Sequence, residues 1–523
     1  MKIEQIEIND QFKKAINLVE NTNKNIFITG KAGTGKSTLL NYFRLITKKK
    51  IVVLAPTGVA ALNVNGETIH SFFGFKPDIT LDKIKKLNDK NSKMYKEIEI
   101  LVIDEISMVR ADLLDCIDKF MRTNGKHSKL PFGGTQMLFF GDLYQLPPVV
   151  TSKEKEIFKN TYQSAYFFDA KVFNDLSMEF IELEKIYRQK DEKFIEILNL
   201  IRNNSITEKE LTTLNKRFGA TFSENIKSNY EIQLTTTNKM ANETNMLQLQ
   251  TLKTKIYSFN AEISGDFEEN MYPTEYELQF GIDAQVMMLN NDSKERWVNG
   301  SIGKIIDIKH NKKNKITNIY VKLANGKEEE VLPHTWEIFH FSYNTNTNII
   351  ETDTVGTYTQ YPMKLAWAVT IHKSQGKTFD KVIIDLGNGT FAHGQTYVAL
   401  SRCTTFEGII LKRPIRKKDI LMDWRIVKFI TKYQYNLSER DMSLKEKLQI
   451  IQNAIKEKSL LEILYLKTND EKTCRIIKPR FVGDLEYNDK TFLGINAYCM
   501  KRKEDRVFRV DRILEIKVTN GLE

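Results

Sequence analysis

Short runs of apolar and β-branched residues alternate with helically spaced segments along the first third of the chain. The runs have the length of buried strands and occupy residues 25–29, 51–54, 97–103 and 137–140. Residues 9–20, 38–44 and 110–122 repeat their apolar positions every three or four residues, as amphipathic helices do. This alternation predicts an α/β fold with a doubly wound parallel sheet.

The pattern changes twice further along the chain. A second α/β unit begins near residue 232 and is interrupted, from about 278 to 361, by short strands with turn signals such as Asn325-Gly326. We therefore expect a small β-barrel inserted into the second unit. Beyond a basic, helical stretch at 413–458, further short runs predict a β-rich C-terminal module; they lie at 461–466, 474–477, 492–497 and 506–510.

The chemistry of the first unit centres on a glycine-rich loop between the first strand and its helix. The loop fits the pattern G-x-x-x-x-G-K-[ST] and consists of Gly30, Lys31, Ala32, Gly33, Thr34, Gly35, Lys36 and Ser37. Its glycines let the backbone N–H groups turn inward around phosphate oxygens, and the helix that follows from Thr38 adds a positive dipole end. We expect Lys36 to contact the β- and γ-phosphates of a nucleotide and Ser37 to bind Mg²⁺. The strand and helix on either side argue against an accidental glycine-rich turn.

Polar residues follow the other strands, at the edge of the sheet where such folds bind ligands. Asp104 and Glu105 end the third run, and paired acids at a buried strand end are costly unless they bind something. We expect Asp104 to hold the Mg²⁺ through water and Glu105 to polarise an attacking water. Gln145, after the fourth run, is placed to report whether a γ-phosphate is present.

Residues at the rim of this crevice have two interpretations each. Gln11 precedes the loop, where its amide either pairs with an adenine edge or faces solvent. The segment 68–75 includes Phe72 and Phe73, which either stack on unpaired bases or belong to the core. The lysine-rich, apolar-poor segment 76–96 is predicted to be a surface excursion and not a central strand or helix.

Composition adds a preference for polyanions. The 523 residues carry a formal net charge of +11, although many lysines serve only to solvate a surface. The four cysteines form no C-x-x-C pair, so we expect reduced thiols, no zinc site and a cytosolic compartment. The N-terminus lacks the apolar segment of a signal peptide, and no apolar run is long enough to span a bilayer.

In their order along the chain these motifs resemble those of superfamily-1B DNA helicases, specifically the Pif-one family, with RecD-type enzymes as cousins. The resemblance covers roughly residues 9–411 and adds to the loop and the acid pair the segments 55–61, 141–148, 187–189, 366–376 and 399–402. Residues 112–136 look like the family's signature segment.

The resemblance implies two RecA-like P-loop domains with an inserted SH3-like β-barrel. The first domain would take residues 1–200, with a strand-separating wedge at about 76–96. The second domain would take 201–277 and 362–412, and the barrel 278–361.

The resemblance also implies roles for individual residues. Gln11 would read adenine, residues 30–38 with Gly376 would bind the nucleotide, and Glu105 would be the catalytic base. Gln145, Arg188 and Arg402 would contact the γ-phosphate, and the arginines would stabilise transition-state charge across the cleft between the domains. Positions that grip single-stranded DNA in the family correspond here to Pro56, Thr57, His70, Phe72, Phe73, His372 and Lys373.

Residues 455–523, beyond a helical linker at 413–454, resemble a WYL domain. Tyr465 and the run 506–513 support this, although the eponymous Trp-Tyr-Leu is here Thr-Phe-Leu at 491–493. WYL domains bind nucleic acid or nucleotide-like ligands through a basic groove, which would include Arg475, Arg506 and Arg509. The alternative is that these arginines only solvate strand faces.

The function implied is an ATP- and Mg²⁺-dependent helicase that moves 5′ to 3′ along single-stranded DNA in repair, recombination and replication. Forked or tailed duplexes are the expected substrates, with RNA–DNA hybrids and G-quadruplexes in addition, and we expect a monomer at a bacterial nucleoid. Two alternatives stay open: a DNA-stimulated translocase that remodels nucleoprotein without unwinding, and a ligand-sensing regulator acting through the C-terminal module. The intact acid pair and both arginines argue against a vestigial motor.

Overall fold

The computed structural model describes residues 8–76, 79–150, 158, 161–189, 191–222, 230–310, 317–344, 349–487 and 490–519. The chain divides into two units, Met1–Ile201 with Ile206–Leu421, and Arg202–Ser205 with Met422–Glu523. The extreme N-terminus, on which the signal-peptide expectation rests, and residues 77–78 of the lysine-rich segment lie outside the described residues. No helix within these ranges is long and apolar enough to cross a membrane.

A six-stranded parallel sheet organises the first half of the larger unit. Its strands are β1 (Asn25–Gly30), β2 (Ile51–Ala55), β3 (Glu67–Thr68), β4 (Ile100–Ile103), β5 (Gln136–Gly141) and β6 (Met178–Leu183). They lie in the order β3-β2-β4-β5-β1-β6. The apolar runs of the sequence are β1, β2, β4 and β5, which are buried because helices cover a parallel sheet on both faces.

Helices connect these strands and supply the rest of the core. They are α1 (Asp10–Asn21), α2 (Lys36–Ile46), α3 (Gly58–Asn63), α4 (Ile69–Phe73), α5 (Asp89–Glu97), α6 (Ala111–Asn124), α7 (Glu192–Arg202) and α8 (Glu208–Asn215). The apolar face of α1, with Phe12, Ala15 and Val19, packs in one cluster with Ile26 and Ile28 of β1. This packing fixes the entry of the chain into the glycine-rich loop.

The lysine-rich segment contains the helix α5, which lies mostly exposed, as expected of a surface excursion, but is anchored by one buried ring. Tyr95 of α5 is buried, and its ring centroid lies 5.4 Å from that of Phe72 and 4.7 Å from that of Phe120. One large ring buries enough apolar area to anchor a helix whose other side chains are mostly polar. The lysines that dominate the segment's composition hid this anchor.

A four-stranded parallel sheet organises the second half of the larger unit. It consists of β7 (Ile232–Thr235), β18 (Ala368–Thr370), β19 (Val382–Asp385) and β20 (Ile409–Leu411), in the order β18-β7-β19-β20. Two helices, α9 (Asn238–Thr251) and α10 (Gln395–Leu400), accompany it.

Antiparallel strands fill the chain between β7 and β18. They are β8 (Ile256–Asn260), β9 (Glu262–Gly265), β10 (Glu277–Gly281), β11 (Gln285–Met288), β12 (Ile302–His310), β13 (Thr317–Leu323), β14 (Glu328–Val331), β15 (His334–Asn344), β16 (Ile349–Gln360) and β17 (Met363–Leu365). They form sheets of order β14-β13-β12-β11-β17, β15-β16-β9 and β10-β8. The β-rich part thus begins before residue 278, with β8 and β9. The sequence pattern missed these two strands because they are largely exposed and carry no apolar run.

The smaller unit combines two helices with an antiparallel sheet. The helices α11 (Trp424–Asp441) and α12 (Leu444–Glu457) precede β21 (Leu460–Leu466), β22 (Lys472–Tyr487), β23 (Lys490–Cys499), β24 (Glu504–Arg509) and β25 (Ile513–Thr519). The sheet order is β24-β23-β22-β21-β25. Ile451 and Ala454 of α12 lie in the same core as the strands. Both helices therefore belong to this unit and do not form a separate linker.

Candidate nucleotide and nucleic-acid site

The glycine-rich loop runs from β1 into α2, the order that phosphate binding requires. Gly33 and Gly35 have φ of +83° and +86°, a left-handed conformation that favours glycine. A Cβ on Gly33 would lie 2.5 Å from the Cβ of Arg188, so the close approach of that arginine also requires glycine. Lys36 Nζ donates to the carbonyl oxygens of Gly30 at 2.7 Å and Lys31 at 3.1 Å. The ammonium is therefore held at the loop, where phosphate oxygens would replace these carbonyls.

A cavity of about 760 Å³ opens beside this loop, a size that suits a nucleoside triphosphate. Side chains from both halves of the larger unit line it. They are Phe12, Ala32, Gly33, Thr34, Gly35, Lys36, Ser37, Thr38, Glu105, Gln145, Tyr187, Arg188, Gly376, Thr378 and Arg402. Residues that are hundreds of positions apart in sequence thus meet where the motifs predicted one nucleotide site.

The acid pair follows β4 and lies half-buried beside Lys36. Glu105 has a left-handed backbone with φ of +49°, an unusual conformation for a residue with a side chain. Burial raises the pKa of both carboxyls, and the neighbouring Asp104 charge raises that of Glu105 further. A carboxylate with a raised pKa is a stronger base than an exposed one, which suits Glu105 to accepting a proton from water.

Gln375 connects Glu105 with Gln145, a contact that sequence reasoning missed. Its Nε2 donates to Glu105 Oε2 at 3.1 Å and to Gln145 Oε1 at 3.2 Å, and Gln145 Nε2 donates to Asp142 Oδ2 at 3.0 Å. Gln375 lies directly before Gly376 in a recognised motif, which was the available signal. The contact makes Gln375 part of the hydrolytic site.

Two arginines approach the cavity from different halves of the unit. Arg188 donates to the carbonyl oxygens of Ser401 and Gly376, at 3.3 and 3.4 Å. Arg402 is 1% exposed and donates to main-chain carbonyls and to one hydroxyl, that of Ser401. Burial, with a contribution from the charge of Arg188, lowers the pKa of Arg402 to about 9, so it stays protonated at neutral pH. Buried guanidiniums with neutral acceptors favour the arrival of an anion such as a γ-phosphate.

Aromatic side chains complete the nucleotide end of the site. Tyr397 is buried, and its hydroxyl accepts from the backbone N–H of Ala32 at 3.0 Å. Phe12 and Tyr187 lie beside Gly35 and border the cavity. Gln11 accepts from the N–H of Glu184 at 3.0 Å, and its role in reading adenine stays a prediction. Apart from its nearness to Arg402, no sequence pattern pointed to Tyr397.

The residues predicted to bind DNA fall into two groups, one at least partly exposed to solvent and one buried in the core. Thr57 caps α3 by accepting from Ala60 N, directly after Pro56. The ring of His372 lies nearly parallel to that of Phe391, with centroids 6.3 Å apart, and Phe391 is 65% exposed. Phe391 was missed because a lone aromatic in a loop carries no periodic signal. Burial lowers the pKa of His70, so its imidazole is neutral at pH 7.

Three of the residues predicted to contact DNA have side chains that lie in the core of this structure. Phe72 and Phe73 are each 5% exposed and pack with Tyr95 and Phe120. Arg475 is 8% exposed, since its partner across the sheet is Ile463, which faces the core. A buried ring or guanidinium cannot meet a strand of DNA at the surface without rearrangement.

Arg506 and Arg509 lie at the surface of the smaller unit. Each is paired with a nearby carboxylate, Arg506 with Glu504 at 3.6 Å and Arg509 with Asp511 at 2.6 Å. Their contact with nucleic acid stays a prediction.

Comparison with known proteins identifies the family of this site. A family model described as PIF1-like helicase matches residues 1–212, and one described as WYL domain matches residues 446–518. The ATP-dependent DNA helicase Pif1 of Campylobacter jejuni is 31% identical over 406 residues, which span 73% of this chain and 87% of the relative. The chain belongs to the PIF1-like helicase family.

Solved structures of PIF1-like helicases agree with this assignment. Bacteroides sp Pif1 in complex with ADP-AlF4 is 37% identical, with a TM-score of 0.74, and the match covers 83% of this chain and 98% of that one. Bacteroides Pif1 bound to single-stranded DNA matches with the same identity and coverage and a TM-score of 0.61. The two parallel sheets are therefore the RecA-like helicase fold that the motifs predicted, and a WYL domain follows.

Proposed function

We propose that this PIF1-like helicase hydrolyses ATP at the cavity described above and uses the cycle to move 5′ to 3′ along single-stranded DNA, unwinding forked or tailed duplexes. Membership of the family makes the chain an ATP-dependent DNA helicase; the direction and the DNA structures are our proposal. The observation that supports it best is the convergence of Arg188 and Arg402 on a cavity that already holds Lys36 and Glu105.

Hydrolysis at this site requires a base, a positioned water and compensation of charge. Glu105 accepts the proton of the attacking water, and Gln375 fixes the orientation of its carboxylate. Lys36, Arg188 and Arg402 offset the negative charge that develops on the γ-phosphate oxygens. Because Arg402 comes from the second half of the unit, bound ATP draws the halves together and product release lets them separate, which alternates their grip on DNA.

Mg²⁺ fits the residues present at the phosphate end. The Ser37 hydroxyl lines the cavity and would be a direct ligand, and Asp104 would hold the ion through water. Within the described ranges no three His, Cys, Asp or Glu side chains gather as a metal site. Magnesium at a nucleotide needs few protein ligands, because phosphate oxygens and waters complete its octahedron. When bound, the ion neutralises phosphate charge.

The antiparallel part of the chain is proposed to be the SH3-like insertion. The five-stranded sheet β14-β13-β12-β11-β17, with a core that includes Phe280, Val286 and Val321, supports this. We assign the first RecA-like domain to 1–200, the second to the chain around β7, β18, β19 and β20, and the strand-separating wedge to the segment near α5. The insertion then extends beyond the expected 278–361 to include β17, which pairs with β11.

Single-stranded DNA is proposed to contact Pro56, Thr57 and His70 on the first domain and His372 and Lys373 on the second. Phe391 extends this surface, because an exposed ring beside a neutral imidazole offers apolar area on which bases stack. Action as a monomer and on RNA–DNA hybrids or G-quadruplexes belongs to the same proposal.

The test compares ATP hydrolysis by the wild type and by Glu105→Gln, with and without oligo(dT). We expect DNA to stimulate the wild type and the variant to lose roughly 100-fold or more in rate while still binding a fluorescent ATP analogue, because the amide cannot accept the proton. Hydrolysis by the variant at the wild-type rate would show that Glu105 is not the catalytic base. Hydrolysis by the wild type that ignores DNA would contradict the motor itself.

A further inference from the structure

The last turn of α7 passes out of the larger unit and into the smaller one. The helix belongs to the larger unit as far as Ile201, whereas Arg202–Ser205 belong to the smaller unit, and the chain returns to the larger unit at Ile206. These two crossings come in addition to the one after Leu421. A module attached only to the end of a motor would need a single crossing. The segment 202–205 is thus built into the smaller unit, and the main chain of α7 links it to the larger one.

A buried ion pair holds this segment in the smaller unit. Arg202 Nη1 lies 3.7 Å from Asp470 Oδ2, and the two side chains are 3% and 2% exposed. The amide of Asn203 donates to the Asp470 carbonyl oxygen at 3.5 Å, and Gln434 Nε2, from α11, donates to Asp470 Oδ1 at 3.2 Å. A buried ion pair often adds little stability over apolar side chains, but it requires its partners in one geometry. The pair therefore fixes the position of Arg202 more strictly than apolar packing would.

The other end of α7 contacts the segment that carries Arg402. Gln189, just ahead of the helix, donates from Nε2 to the carbonyl oxygens of the residues before and after Arg402, both at 3.0 Å. Phe194 of α7 is fully buried, and its ring centroid lies 6.1 Å from that of Phe406. The 11 residues of the helix span about 16 Å at 1.5 Å per residue. A displacement of Arg202 therefore reaches the main chain around Arg402 through three turns of helix.

The helix α11 connects Asp470 with the rest of the smaller unit. Its first half buries apolar side chains, whereas its second half buries polar ones, among them Gln434 and Ser438. The Ser438 hydroxyl donates to the carbonyl oxygen of Leu514 in β25 and accepts from Lys447 Nζ of α12, both at 2.7 Å. One face of α11 thus connects Asp470 by hydrogen bonds with the sheet and with α12.

We propose that the smaller unit regulates ATP hydrolysis through the Arg202–Asp470 pair, which sets the position of α7 and thereby that of Arg402. This inference rests on the proposed hydrolysis of ATP at the cavity and adds a control element that lies outside it. With the pair intact, α7 holds Gln189 against the main chain around Arg402, and the guanidinium is aligned for the γ-phosphate. Any change in the smaller unit that displaces the turn 467–471 from Arg202 slows turnover.

The experiment measures steady-state ATP hydrolysis with saturating oligo(dT), together with thermal unfolding, for the wild type, Asp470→Asn and Gln434→Met. Asparagine suits the left-handed backbone at this position, where φ is +60°, and removes only the charge that faces Arg202. Gln434→Met removes a donor to Asp470 and leaves the ion pair in place. Asp505→Asn, at an exposed carboxylate of β24 that pairs with Arg480, is the matched control. We expect kcat to fall about three- to tenfold in Asp470→Asn and less in Gln434→Met, at unchanged KM for ATP.

A double-mutant cycle shows whether the effect passes through α7. Gln189→Ala removes the contacts at the other end of the helix and should lower kcat as well. Combined with Asp470→Asn, it should lower kcat no further than the larger of the two single effects, because both substitutions release the same helix. Rates are measured well below the melting temperatures, so a merely structural role of the pair would lower the melting temperature and leave kcat unchanged.

Each outcome decides the proposal. Unchanged kcat in Asp470→Asn and Gln434→Met, or effects of Asp470→Asn and Gln189→Ala that multiply, would overturn the control through α7 and leave the helicase assignment intact. If Asp470→Asn does not fold, the cycle of Gln434→Met with Gln189→Ala decides in the same way. A wild type whose ATP hydrolysis ignores DNA would instead contradict the proposed function.

Discussion

At the scale of single residues, uncharged side chains position the charged groups of the ATP site. Gln375 donates to Glu105 and Gln145, and Tyr397 accepts from the backbone of the glycine-rich loop at Ala32. Neither side chain carries charge, yet each links the second half of the larger unit to the first. Closure of the two halves around the site and alignment of the Glu105 carboxylate therefore both depend on the contacts of Gln375 and Tyr397.

Replacing Gln375 by Ala should slow DNA-stimulated ATP hydrolysis by roughly tenfold, because the Glu105 carboxylate loses the donor that orients it. The KM for ATP should stay close to that of the wild type, since Gln375 is not among the residues that line the cavity. Steady-state kinetics separate the two constants, and Gln279→Ala, at an exposed glutamine of β10, is the control. An increase in KM at constant kcat would mean that Gln375 binds the nucleotide and does not position the base.

Replacing Tyr397 by Phe should lower the melting temperature by roughly 2–4 °C. The change leaves the buried N–H of Ala32 without its acceptor, at a cost of about 1 kcal/mol or more. Differential scanning calorimetry measures the effect, and Tyr276→Phe, at a half-exposed ring, should change little. A melting temperature equal to that of the wild type would show that the hydroxyl contributes nothing to the loop.

Sequence reasoning found the residues whose chemistry is carried by contiguous motifs and missed those defined by tertiary contact. The glycine-rich loop and the acid pair are local patterns, so their positions could be predicted from spacing alone. Tyr397 meets Ala32 across 365 positions, and no local pattern records that distance. Phe72 and Phe73 were open to two interpretations for the same reason, because their burial depends on Tyr95 and Phe120.

At the scale of elements, the family's signature segment is a scaffold. Asp115 of α6 is buried and accepts from the N–H groups of Lys171 and Val172 and from the hydroxyl of Tyr162. Asp118 accepts from Phe132 N at 2.6 Å, where the chain turns through left-handed conformations before β5. These carboxylates accept hydrogen bonds from backbone N–H groups that are not paired within a helix or a strand and would otherwise need water. The segment therefore fixes the strand that leads to Gln145.

Asp115→Ala should destabilise the protein by about 2–4 kcal/mol, because several buried donors lose one acceptor together. Thermal unfolding should reveal a loss of roughly 5–10 °C. Asp112→Ala removes a half-exposed partner of Arg110 from the same helix and should cost less than the loss of Asp115, about 1 kcal/mol. Equal losses of thermal stability from Asp115→Ala and Asp112→Ala would contradict the distinction between the buried scaffold carboxylate of Asp115 and the half-exposed carboxylate of Asp112.

Phe73→Ala tests the aromatic cluster at the same scale. Its ring lies 4.8–5.2 Å, between centroids, from those of Phe72, Phe75 and Phe120. Removal of a buried ring should cost about 3–5 kcal/mol, and DNA affinity measured well below the melting temperature should stay near that of the wild type. Unchanged thermal stability with a selective loss of single-strand binding would restore the interpretation of Phe73 as a base-stacking residue.

At the scale of the whole molecule, the order of elements was more predictable than their extent. Alternating strands and helices predicted both parallel sheets, because buried strands must be apolar throughout. The hairpin β15–β16 was missed, and so were β8 and β9, which are largely exposed and carry polar residues that resemble those of loops. Strand β25 was missed as well, although the run before it was recognised as part of a WYL domain.

The molecule as a motor depends on charge brought together from distant parts of the chain. Arg188 and Arg402 complete a site whose phosphate loop lies near residue 30. A net charge of +11 supports association with DNA at a distance.

The most direct measurement is strand displacement on two partial duplexes, one with a 5′ single-stranded tail and one with a 3′ tail, in the presence of ATP and Mg²⁺. The wild type should open only the 5′-tailed duplex, and Lys36→Ala should open neither, because the ammonium that contacts the phosphates is gone. Opening of the 3′-tailed duplex would contradict the proposed direction. If neither duplex opens while DNA still stimulates hydrolysis, the protein is a translocase that does not unwind, and the central proposal fails.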